Sequence, residues 1–456
     1  MTTLLRIRAS RARSGLSGAS RADIVAAVVA LALLGGAALV GGLLYLADRP
    51  VRASAAPFYA HWLPHAGPGT PLALVVAALV VWQGQQLAAR LSWRSLLVTG
   101  YGTAVAWILS LALVDGWQRG MAGRLTTEPE YLHEVAGVTD VSAMVRGFTD
   151  RILDFQPESW TTHVAGHPPG ALLVFDGLDR IGLAGGGWAA LVCVLVGATA
   201  AVAVPETVRL LSAGSSPDSE SAARAAVPFA VLFPGAVWVG ASADGLFTGV
   251  AASAVMLVAR GLTRPSGRAP VSAFFGGVLL ASALYLSYGL TLLAPLVLAV
   301  VVLARRWRPL LLTGLGAGVV IAGFTAAGFW WWDGYQLVVE RYYQGVASER
   351  AYGYWVWANL AALVAPAGLA VAPVLRRAVL GRPVTPERLL PLAALVAVVA
   401  ADLSGLSKAE VERIWLPFSV WFVAGAVLLP LRSRRGWLVV QALMALLVNH
   451  LLLTSW

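Results

Sequence analysis

Cysteine, lysine and charge in general are what this sequence has least of. Only 12% of its 456 residues are charged, one is cysteine, and Lys408 is the only lysine among 33 basic residues. A lone Cys193 inside an apolar run excludes an intrachain disulfide and a cysteine metal cluster, and reads as a buried small residue. Few charges, 58% hydrophobic residues and a mean hydropathy of +0.74 exclude an ordinary soluble globular protein. No glycine-rich phosphate loop follows a predicted strand, so a nucleotide cradle is missing. Nor is there a sequence repeat, a low-complexity tract or a lipidation signal.

What is present is a series of apolar segments long enough to cross a hydrocarbon core of about 30 Å. They fall near 24–47, 71–88, 95–114, 186–211, 224–239, 243–260, 271–286, 288–304, 309–331, 356–375, 388–403, 415–431 and 436–453. The expectation is an all-α polytopic membrane protein with about 13 transmembrane helices. The first run is too long for an ordinary signal-peptide core and is read as a retained span. With the basic N-terminus 1–23 ("RIRASRARSGLSGASR") placed in the cytoplasm, the inner side carries 22 basic and 5 acidic residues and the outer side 11 and 18. That bias follows the positive-inside rule and predicts a multi-pass plasma-membrane protein with its N-terminus inside.

The polar residues gather on the outer side. The longest polar stretch, 115–167, holds eight carboxylates and four arginines, and "EPEYLHEVAGV" and "DVSAMVRGFTDRILDF" have the apolar spacing of amphipathic helices lying at a membrane surface. After it, 168–183 is too short and charged to span and reads as an interfacial helix started by Pro168 and Pro169, with Asp176, Asp179 and Arg180 on one face. Further outer clusters are "GASADG" around Asp244, the aromatic loop 332–355 and the 402–414 loop with "SKAEVER". The predicted middle of each span has hardly any ionisable residue, which disfavours an ion-coupled transporter.

An Asp at the outer end of a span, a long outer loop with juxtamembrane helices, and "GHPPG" leading into the next span together resemble the GT-C superfamily of membrane glycosyltransferases. The His-Pro-Pro element is similar to one in the protein O-mannosyltransferases, and "FPGAVWVGASADGLFTGVAASAVMLVARG" looks like a later GT-C span pair. The resemblance covers 95–305 as a GT-C-like core including the outer loop 115–185; two helices in 24–94 precede it, and 306–456 supplies C-terminal helices. It implies an inverting transfer of a sugar, mannose or arabinofuranose, from a polyprenyl phosphate donor to a cell-envelope glycan, lipid or protein acceptor on the outer face. No nucleic acid is implied as a partner. Some GT-C enzymes use a divalent cation and others none, so the cofactor stays open. The alternatives are a transporter or flippase of a lipid-linked substrate and a noncatalytic envelope scaffold.

Such chemistry needs a carboxylate to accept the acceptor hydroxyl proton and cationic donors for the departing phosphate. Asp115 occupies the position that the resemblance assigns to the base, with Asp115-Gly116 where the O-mannosyltransferases have Asp-Glu; otherwise it is a helix-end Asp marking the interface. Glu128 and Glu130 are its rivals, or helix N-terminal acids, and Tyr131 beside Glu130 offers a ring to a sugar. His167 is a candidate for bonding the acceptor or phosphate, or simply a cap at a proline hinge. His163, four residues before it, has the spacing of a helical metal pair, but Gly166 and Pro168 argue against helix there. Arg413 and Lys408 are candidate phosphate binders, or local partners of Glu410 and Glu412. Asp244 faces the same cavity or caps the following helix. Arg341 and Arg350 pair with Asp333, Glu340 or Glu349, or meet lipid phosphate.

Overall fold

The computed structural model describes residues 19–49, 51–212, 219–263, 267–382 and 384–454. Most of the basic N-terminal stretch and the middle of the 212–219 loop lie outside the described residues. The described chain is helical apart from one short ribbon and an isolated bridge. Among the described residues six helices are long and apolar enough to cross a membrane: Arg21–Leu46, Thr70–Arg90, Trp93–Asp115, Gly186–Ser212, Ala243–Thr263 and Ala269–Leu286. Two bent pairs bring the number to eight when each is taken as one span. They are Leu310–Ala326 with Trp331–Gln344, bent by 73°, and Tyr352–Ala367 with Val371–Leu380, bent by 107°.

The bends have a local cause. Gly328 (φ +99°) and Gly368 (φ +81°) sit at the breaks in a backbone region that side chains disfavour. The remaining apolar segments form shorter or more polar helices. Segment 224–239 stays helical to Val231 and resumes as Ala236–Val239, with Pro234 between them unable to donate a backbone bond. Segment 415–431 becomes the tight turns Leu416–Ser419 and Val420–Leu428. The helix over the last segment, Leu431–Leu451, carries three arginines in its first turns.

Arg21–Leu46 is peripheral. Leu39, Leu43, Tyr45 and Leu46 are exposed, while buried Asp23 bonds Arg376 (2.6 Å) and Arg377 (2.9 and 2.6 Å). The loop 115–167 does not lie free. Its short helices Tyr131–Val135, Val141–Arg146 and Thr162–Ala165, with the chain between them, bury Tyr131, Val135, Met144, Val145, Phe148, Trp160 and Val164 in the same apolar core as the long helices. Pro169–Arg180 follows, with Pro169 in its first turn and Arg180 bonded to Asp176 at 2.7 Å. Strands β1 (Ala60–Trp62) and β2 (Leu452–Thr454) pair antiparallel and join the loop after the first helix to the last helix. All these loops meet at one end of the helices, the end that carries Asp115 and Asp244.

Candidate functional site

Arg413 is the centre of the charged layer. The chain reaches it through Ala409 (φ +68°) and Glu410 (φ +63°), two consecutive residues in the left-handed region, a conformation that costs on the order of 1–3 kcal/mol at each such position. Asn359 contributes to holding that turn, its Oδ1 accepting from Ala409 N at 3.1 Å and its Nδ2 donating to Ser407 O at 2.7 Å. The short helix Val411–Ile414 then buries Arg413 between its neighbour Glu410 and Asp244 from a distant segment. Its Nη1 donates to Asp244 Oδ2 at 2.6 Å, and its Nη2 to Glu410 Oε2 at 3.0 Å and His163 Nε2 at 3.2 Å. Burial works against the cation, but Asp244, Glu410 and Glu130 together hold Arg413 above the ordinary arginine range.

The Arg413 contact fixes the state of His163. A guanidinium only donates, so Nε2 accepts and the ring proton is assigned to Nδ1, which faces Glu130 Oε1 at 2.9 Å. Glu130 is the N-cap residue of Tyr131–Val135, yet its side chain does not cap that helix and turns to the histidine. His163 N, donating to Pro129 O at 2.9 Å, draws the two segments together.

His167 lies beyond the helical turn, as its glycine and proline neighbours require. Its Nδ1 donates to His163 O at 2.8 Å and contacts the Tyr131 hydroxyl at 2.9 Å. Burial holds its pKa down to about 4, so the ring is neutral at physiological pH, and Nε2 keeps a lone pair without a hydrogen-bond partner among the described residues. Tyr131 packs between His163, His167 and Phe175, and burial raises its hydroxyl pKa well above the usual value.

Asp115 forms a second centre beside the first. Its Oδ1 receives Arg119 (3.1 and 2.8 Å) and lies 3.0 Å from His65 Nε2, and its Oδ2 receives Arg124 at 3.1 Å. Arg124 also donates to Thr454 O at 2.8 Å and lies within the field of Glu130, which links the centres. Burial lowers the Arg124 pKa, the nearby acids opposing it.

The structure therefore brings together Glu130, Tyr131, His163, His167, Asp244 and Arg413, and sets Asp115 next to them. Glu128 is exposed and outside the cluster. Lys408 is also outside it, its Nζ donating to Ala347 O at 2.9 Å above the Tyr343 ring. Arg341 pairs with Asp154, and Glu349 with Arg52, in place of the partners expected within the aromatic loop. Arg350 instead bonds Glu410 Oε1 at 3.2 Å, so Glu410 bridges two arginines, which together outweigh burial and hold its pKa below the usual range. Sequence distinguished neither Arg124 nor His65; it offered Glu410 as a local partner of Arg413, which it is, and gave Arg350 other partners.

A divalent ion does not fit this layer well: the acids Asp115, Asp244 and Glu410 are held by arginines, and no three His, Cys, Asp or Glu residues converge as a ligand set among the described residues. Compared with family models, curated proteins and solved structures, the chain has no match. What the fold and site define is an all-helical chain with several candidate membrane spans and an acid, imidazole and guanidinium layer at one end of them.

Proposed function

We propose that this chain is a membrane glycosyltransferase of GT-C type that moves a sugar from a polyprenyl phosphate donor to an acceptor hydroxyl at the outer face of the plasma membrane. The observation that carries the reading is the convergence on Arg413, beside its neighbour Glu410, of Asp244 and the His163–Glu130 pair, which come from segments far away in sequence. Such a set supplies the fixed positive charge and the hydrogen-bonding imidazole and carboxylate groups that glycosyl transfer needs.

In the proposed reaction the acceptor oxygen bonds to the anomeric carbon with inversion, as the bond from that carbon to the phosphate oxygen breaks. The departing polyprenyl phosphate keeps the electron pair. Asp115 takes the hydroxyl proton, and the neutral His167 Nε2 and Glu130 orient the acceptor. Arg413 and Arg124 offer fixed positive charge to the leaving phosphate, Arg413 by exchanging one of its carboxylate partners. The polyprenyl tail stays in lipid alongside the apolar helices.

The test supplies membranes with polyprenyl phosphate mannose or polyprenyl phosphate arabinofuranose labelled in the sugar, and follows transfer and release of polyprenyl phosphate. Asp115→Asn, Glu130→Gln and Arg413→Lys should each lower transfer by about 100-fold or more with the folded chain present at normal levels. Absence of transfer by the wild-type chain would remove the reading, and undiminished transfer in all three variants would remove the site.

A further inference from the structure

At the opposite end of the helices one cavity is lined mainly by positive charge. Ala243–Thr263 carries Asp244 in its first turn and Arg260 in its last, sixteen residues later and roughly 24 Å along the axis. Around Arg260 a cavity of 680 Å³ opens between the start of Trp93–Ala112, the end of Ala200–Ser212, and the start of Ala269–Leu286. Arg94, Arg209, Arg260 and Arg268 line it, with Glu206 as the one acid.

Glu206 is already neutralised. Arg209 grips both its oxygens at 2.9 Å, Trp93 Nε1 donates to Oε2 at 2.7 Å, and the Arg209 guanidinium lies 5.0 Å from the Trp93 ring centroid. Arg94, Arg260 and Arg268 are exposed, and none has a side-chain hydrogen bond or ion pair among the described residues. Three guanidiniums around one cavity, without a partner among the described residues, repel one another and attract an anion. Ala269–Leu286 also begins here with no side-chain cap on its first-turn N–H groups, which adds partial positive charge. Trp93 supplies a wall at the level where amphipathic rings meet the membrane surface.

We propose that this cavity is a phosphate-binding site, in which Arg94, Arg260 and Arg268 hold a phosphate monoester or diester and Trp93 packs against the group that bears it. Paired guanidinium donors match phosphate oxygens, and basic pockets between helix ends recognise anionic headgroups. The site is separate from the Arg413 layer and independent of the glycosyl-transfer reading.

The experiment uses the purified full chain in an uncharged detergent, with native mass spectrometry of retained ligands. Three probes are compared: dioctanoyl phosphatidylglycerol, dioctanoyl phosphatidylcholine and soluble glycerol phosphate. Arg94→Gln with Arg268→Gln should lower retention of the anionic probe by about tenfold or more. The Lys pair at the same positions should restore most of it, and Arg306→Gln with Arg308→Gln, exposed and outside the cavity, should leave it within about twofold of the wild type. Retention of phosphatidylglycerol above both other probes identifies a lipid headgroup as the source; retention of glycerol phosphate at equal concentration identifies a soluble phosphate compound. Equal retention by the Arg94/Arg268 and Arg306/Arg308 glutamine variants, or by wild type for the phosphatidylcholine probe and both anionic ones, overturns the proposal.

Discussion

Glu412 is buried completely; its Oε1 accepts from Tyr59 N at 3.0 Å, while its Oε2 has no hydrogen-bond partner among the described residues. Burial pushes its pKa up to about 7 from an ordinary value of 4.5. The native state therefore binds this proton more tightly than the unfolded chain does. The stabilisation is complete below the unfolded value, declines as pH rises, and is gone above about 7. Thermal unfolding in neutral detergent should fall between pH 5 and pH 8, and Glu412→Gln should flatten that fall by on the order of a few degrees. Equal pH slopes in the two proteins would mean that Glu412 is ionised throughout. Sequence could not separate Glu412 from Glu410, two positions away. One carboxyl faces Tyr59 and the other lies between Arg350 and its near neighbour Arg413, and the contacts with Tyr59 and Arg350, more than fifty positions distant, make the difference.

Among the elements, the helix after "GHPPG" shows how far local chemistry reaches. Paired prolines followed by an apolar stretch with Asp176 and Arg180 four apart were enough to read it, and the structure gives Pro169–Arg180. What it rests on was not legible. A Cβ at Gly170 would stand 2.4 Å from Tyr285 O on a helix more than a hundred residues later, whereas one at Gly177 would meet nothing within 4 Å. Gly170→Val should therefore cost about 1–3 kcal/mol by overpacking, and Gly177→Ala should gain up to about 1 kcal/mol from helix propensity. Denaturant or thermal unfolding of the pair checks both signs; a neutral Gly170→Val would mean that the two helices are not in contact. The same limit applied to the site. Its polar stretches were visible as clusters, but the partner of each charge depends on how the elements stack.

For the molecule as a whole, composition made the helical class and the apolar segments plain. Hydropathy windows could not tell a full span from a segment interrupted at Pro234, Gly328 or Gly368, because they average over the residues that break it. Cys193 is fully buried, so the unaltered chain should resist an impermeant maleimide, and single added cysteines can report sidedness. On intact cells, Glu128→Cys should be labelled and Arg306→Cys should not, with the reverse in inverted vesicles. Exchange of the two patterns would turn the proposed orientation over. Strand β2 carries a consequence for synthesis. Thr454 O receives Arg124, and His450 Nε2 lies 2.9 Å from Thr70 Oγ1, so the early polar loops gain partners from residues more than three hundred positions further along. A nascent chain can thread its apolar helices one by one with Arg124 on Asp115 and Thr70 on Gly67 N, but these second partners are added only once the strand has been translated.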